Sequence, residues 1–212
     1  MPIQTLEDWA THLRRLADPV IENSPPSHRP VSSGVQMATL LEMAIRGEVV
    51  NDPIPAPAGR MLPADELFWR AVVSHAHRPE VAVRLGERLD ADTGPLFVQS
   101  AFRTIECWTE AELAGLHALE VLAYQLNDDA YRAIVGSAAM WHLEHTQPDN
   151  ATGRPWALHV FLLLDTPESR HYAETLLHNA LAMTGSPEPL SARILRHAAE
   201  QLVRRGVANA AD

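Results

Sequence analysis

The residues best suited to chemistry lie close together in Trp141-His142-Leu143-Glu144-His145 and, after a turn-rich stretch, Arg154-Pro155-Trp156 and His159. Imidazole is both a metal ligand and a base near neutral pH. On a helix, Tyr131, Ile134, Val135, Ala138, Trp141, His142 and His145 recur every three or four residues, so His142 and His145 belong to the stripe expected to face the protein. A short turn through Pro148 to Gly153 would return His159 toward them. Three converging imidazoles could hold zinc or another divalent ion with an open position. They could equally supply a base and its orienting partner. Trp141 and Trp156 would form apolar walls, and Arg154, near a helix start, could receive an anion. The set Trp141, His142, His145, Arg154, Trp156 and His159 is therefore the candidate ligand-binding surface. The competing reading is structural, and it leads: histidines late in a helix bond its last carbonyls and suit its dipole. His-x-x-His here is not the His-Glu-x-x-His of zinc proteases, because Glu144 has the wrong offset. The sequence assigns no metal ligand, no catalytic residue and no cofactor.

Other combinations are weaker. Glu168 and His171 have the Glu-x-x-His spacing of di-iron bundles, with Glu174 and His178 continuing the stripe, but such sites need the motif on two helices. His117–Glu120 and His197–Glu200 run in the opposite order. A solvated face is the expectation for the first stripe. His75 and His77 close a helix before Pro79. Cys107 sits beside Glu106, which disfavours a reactive thiolate. Gly-x-Ser-x-Gly, dinucleotide and phosphate-loop signatures are absent from the sequence.

Composition narrows the function classes. A net charge of −10 argues against nucleic acid and against an anionic membrane surface, both of which want a basic face. All 17 basic residues are arginine, which excludes lysine Schiff-base chemistry and fits a GC-rich coding bias. Eleven of 212 residues are histidine. One cysteine permits no internal disulfide and fits a reducing compartment. No apolar run is long enough to span a bilayer, and the first residues lack a signal-peptide pattern. A cytoplasmic protein is expected, with Asn150-Ala151-Thr152 irrelevant to glycosylation.

These side chains must be positioned by helices. Half of the 16 prolines fall between Pro19 and Pro63, so 18–32 and 48–63 read as irregular, with a short helix over about 33–46 between them. Leu6, Trp9, Ala10, Leu13, Leu16 and Ala17 make an amphipathic first helix. Helix starts are expected near Pro63, Pro79, Gly94-Pro95, Thr109, Asn127, Pro155, Pro167 and Pro187. Thr109-Glu110-Ala111-Glu112 has the form of a capping box, and Gly185 and Gly206 mark stops. No strand pair is evident. The expectation is an all-α protein, an array of antiparallel helical hairpins around one core, α-solenoid-like or an irregular bundle, with a proline-rich N-terminal arm. The domain reading is 1–62 as N-terminal helices and arm, 63–206 as the core and 207–212 as a tail. Two functional readings follow: a hairpin protein that binds a protein partner or a small molecule in a groove, or an all-α metal-dependent or acid–base enzyme. No residue pattern sets an oligomeric state.

Overall fold

A computed structural model describes residues 5–24, 37–55, 63–86, 94–146, 153–182 and 185–209. Among these the protein is all-α: nine helices and a single isolated bridge between Val50 and Ser74. The helices are α1 (Leu6–Asn23), α2 (Met37–Arg46), α3 (Ala64–Val73), α4 (Arg78–Gly86), α5 (Ile105–Leu126), α6 (Asp129–His145), α7 (Leu158–Leu164), α8 (Pro167–Leu181) and α9 (Pro189–Asn209). None is long and apolar enough to cross a membrane among the described residues.

The fold is organised around α5. Its sequence from Trp108 to Ala123 is rich in alanine and leucine, and every residue in it except Glu110 is buried. A helix apolar on all sides belongs inside a protein, and α3, α6 and α7 pack against it. Thr104, not Thr109, caps it: the Thr104 hydroxyl accepts from the Cys107 amide at 3.2 Å. Thr109 instead bonds back to the Ile105 carbonyl. The helix expected from Gly94 is absent; 94–104 is irregular apart from a 3-10 turn at Gln99–Ala101. The reason is Glu112. Its buried carboxylate accepts the amides of Leu96 and Phe97, the latter at 2.7 Å, which turns the backbone of that segment toward α5.

Asn127 ends α5 in the left-handed conformation, and Asp128 caps α6 by accepting from Ala130 and Tyr131. A two-residue connection obliges α6 to lie beside α5. Ala157 and Asp165, both at positive φ, bracket the short apolar α7, and Thr166 caps α8 with Pro167 in its first turn.

The N-terminal helices are part of the same core. α1 lies along α9, and α2 touches α3 and α9. Trp9, Leu13, Leu40 and Leu41 join one apolar cluster with Leu116 and Leu195. Irregularity was expected from residue 18, yet α1 continues through Pro19 to Asn23. Pro19 is exposed, while Val20 and Ile21 pack on the core, so burial outweighs the lost hydrogen bond. Gly206 likewise lies within α9, not at its end. Of the stretch expected to be irregular after Gly47, residues 48–55 lie over α3. The wholly buried Arg70 donates to the Ile54 carbonyl at 2.7 Å and pairs with Glu66. The rest of the proline-rich arm, the turn 147–152 and the tail at 210–212 fall outside the described residues.

Candidate functional site

Three imidazoles do converge, but in the centre of the protein, and only one belongs to the expected set. They are His117 on α5, His159 on α7 and His197 on α9, all with no exposed surface. The rings of His117 and His159 are centred 4.2 Å apart, and those of His117 and His197 5.1 Å apart. Trp69 and Trp156 close over them, with Trp69 5.1 Å from His117 and 5.3 Å from His197.

The hydrogen bonds fix where the protons are. The Ala157 amide donates to His117 Nδ1 at 3.3 Å, so neutral His117 carries its proton on Nε2 and donates to His197 Nδ1 at 2.9 Å. His197 must then be protonated on Nε2, which lies 3.2 Å from the Gln201 amide. A donor there needs an acceptor, so the amide presents its oxygen. That orientation also gives a partner to Gln201 Oε1, which otherwise has none. Burial holds both imidazoles neutral: it drives His117 well below its ordinary 6.5 and His197 down to about 3, and neighbouring histidines add to the shift.

His159 links this cluster to a carboxylate. Its Nε2 donates to Glu120 Oε2 at 3.1 Å. Arg205 on α9 donates to the other oxygen, through Nε at 3.0 Å and through a second guanidinium nitrogen. Burial alone would raise the Glu120 pKa, but the hydrogen bond from His159 and the Arg205 charge outweigh it, and the net shift is downward. Arg205 also lies over the Tyr124 ring, 4.2 Å from its centre, which adds a cation–π contact.

Glu120 and Arg205 face a pocket as well as the core. The pocket has a volume of about 330 Å³ and is formed by α5, α6, α7 and α9. Ala123, Val135, Val160, Leu163 and Leu164 make its apolar walls, Gly136 opens one side, and Arg132 adds a second guanidinium. A Cβ built on Gly136 would meet nothing within 4 Å.

The six residues expected to form a site divide into separate places. Trp141 and His145 stack with ring centres 4.7 Å apart, and His145 is exposed, contrary to its assignment to the inward face. That face turns away at the helix end, where His145 Nδ1 bonds to the Trp141 carbonyl. His142 is wholly buried against Trp108, with Nδ1 3.1 Å from the Thr146 hydroxyl and Nε2 3.6 Å from Glu112. The Thr146 hydroxyl also meets Tyr172 at 2.8 Å. Arg154 pairs with Glu110 and Glu188. Trp156 and His159 belong to the central cluster and not to His145. Among the described residues no hydrogen bond, ion pair or ring contact joins Trp141, His142 or His145 to Trp156 or His159.

No known protein family, curated protein or solved structure matches this chain.

The functional reading therefore rests on the geometry of the chain itself. Among the described residues no group of three or more His, Cys, Asp and Glu is arranged to hold a metal ion. The reason is visible in the cluster, where His117 and His197 spend their nitrogens on a backbone amide, on each other and on Gln201. The stripe Glu168, His171, Glu174 and His178 is exposed on α8, as a solvated face should be. Composition and motif matching missed His117, Glu120, His197 and Arg205. A signal was present: His117 and Glu120 interrupt a stretch of α5 that is otherwise apolar on every side, and buried polar groups require partners.

Proposed function

We propose that the protein binds a small molecule in the pocket between α5, α6, α7 and α9. The observation that carries this is the Glu120–Arg205 pair. It forms the polar end of an apolar pocket and is anchored from behind by the buried histidine cluster. Small-ligand sites combine apolar walls with a few fixed polar groups, and their volumes begin near about 300 Å³. The dimensions favour a small molecule over a protein segment. The enzyme reading finds less support: Glu120 already accepts from Arg205 and His159, which leaves it a poor base.

Methyl-resolved NMR tests the proposal. Neutral cyclohexanol at millimolar concentration should shift the methyl signals of Val135, Val160, Leu163 and Leu164 together and saturably. Gly136→Leu places a side chain in the open space and should abolish those shifts while the protein stays folded. Cyclohexanol shifts absent from these methyls, or unchanged in Gly136→Leu, would remove the pocket as a binding site.

A further inference from the structure

We infer that the ligand of this pocket is an aliphatic carboxylate, held by the free edge of Arg205 with Arg132 adding charge; this rests on the pocket being a binding site. The argument begins with which groups still have hydrogen-bonding capacity. Glu120 accepts two nitrogens of Arg205 on Oε1 and His159 on Oε2. A carboxylate has about four acceptor positions, so Glu120 has little left for a ligand cation or donor. Arg205 is different. Guanidinium carries five N–H donors, and Glu120 engages only Nε and one terminal nitrogen. The other terminal nitrogen has no protein partner among the described residues, and Arg205 lines the pocket. The group is also held rigid, with Glu120 along one edge and Tyr124 under its face, so little freedom is lost when it receives a ligand.

Charge points the same way. The ionised groups lining the pocket are Glu120, Arg132 and Arg205, a balance of one positive charge. Arg132 is tied to Asp129 and Asn127 at the rim, with Asp129 itself almost fully in water. A single negative charge on the ligand neutralises the lining. A doubly charged head such as a phosphate would overshoot it beside Glu120. The walls of valine and leucine require an apolar body behind that head. An aliphatic monocarboxylate meets both demands.

Four ligands of one shape separate the possibilities: hexanoate, hexanol, hexanamide and hexylamine, titrated calorimetrically into the full chain at neutral pH. Charge-assisted hydrogen bonds are roughly twice as strong as neutral ones, so hexanoate should bind about tenfold or more tightly than hexanol or hexanamide. Gly136→Leu should abolish its binding. Arg132→Gln, a change at a half-buried position on the rim, should narrow the gap between hexanoate and hexanol. Arg205→Gln on its own would strand the Glu120 carboxylate, so the double change Glu120→Gln with Arg205→Gln is used, and it should close most of the gap. Equal binding of hexanoate and hexanol, a preference for hexylamine, or a hexanoate preference that survives both variants each overturns the carboxylate assignment. If cyclohexanol still enters the pocket in those cases, the pocket itself stands. If cyclohexanol fails as well, both readings fall.

Discussion

His142 and His145 differ by one turn of the same helix and by almost everything else. His142 has no exposed surface, packs on Trp108 and closes a hydrogen-bond chain through Thr146 to Tyr172. Burial pushes the Tyr172 phenol up to about 12, so the Tyr172 hydroxyl keeps its proton at neutral pH. Replacing His142 with alanine removes a ring from the core and one hydrogen bond to Thr146, while the Thr146 hydroxyl keeps the carbonyl of residue 142 and Tyr172. The expected loss is about 2–4 kcal/mol. His145 stacks on Trp141 at the surface, and His145→Ala should cost less than about 1 kcal/mol. Urea unfolding of the two variants checks this, and a His145→Ala loss equal to that of His142→Ala would show that the end of α6 is buried in solution. The sequence placed both residues on one stripe because a helical wheel carries no information about where the neighbouring helix ends.

At the scale of elements, α5 carries the fold, and two of its features were legible only in part. The sequence pattern places a helix from Thr109, but it does not single out the burial of that helix on all sides. Its start was misplaced because Thr109 and Glu112 have the spacing of a capping box, while the structure uses Glu112 for the amides of Leu96 and Phe97. That use is a long-range contact, which local patterning does not encode. Pro19 was misread for a related reason. A proline inside a helix costs about 3 kcal/mol in an isolated segment, but Val20 and Ile21 on the next turn bury against the core. The all-α class was readable because the helix period and the helix caps recur along most of the chain. The site was not, since His117, His159 and His197 come from three helices. The two helical glycines on the central pair make a sharp test of the packing. At Gly136 of α6 a Cβ meets nothing within 4 Å, whereas at Gly115 of α5 it would lie 2.7 Å from the Phe97 ring. Phe97 is held edge-on against Phe68 at 5.5 Å. Gly136→Ala should therefore stabilise by up to about 1 kcal/mol from helix propensity. Gly115→Ala should gain nothing and lose stability instead, because the Phe97 ring must move. Melting temperatures that rise for both would show that Phe97 does not pack against α5 as described.

The whole molecule is built around histidines that must stay neutral, and this gives its stability a defined dependence on pH. His117 and His197 are surrounded by Trp69 of α3, Glu120 of α5, Trp156 and His159, and Gln201, Arg204 and Arg205 of α9. Burial keeps the folded pKa of both below 6.5, with His197 at about 3. Above pH 6.5 the folded and unfolded chains are both neutral at these positions, and stability does not change. Below it the unfolded chain takes up protons that the folded chain refuses. The unfolded state then binds more protons, so stability falls as pH falls, by about a factor of ten in the folding equilibrium per pH unit and per histidine. Asp65 on α3 works in the opposite sense. Burial raises its folded pKa to about 6, so from about pH 6 downward the folded state binds a proton there before the unfolded state does. Between pH 6 and 4 these two histidines outweigh Asp65 by a single proton, about tenfold per unit, and His12 and His77, both lowered chiefly by burial, add to the fall. Glu120, whose pKa is lowered, adds a further loss only below its ordinary value. Urea unfolding at pH 7, 6 and 5 measures the slope. Asp65→Asn should steepen it toward a hundredfold per unit, and replacing His197 with glutamine should flatten it. Stability that holds constant or rises from pH 7 to pH 5 would mean that the central imidazoles accept protons in the folded protein, and the closed core described for them would be wrong.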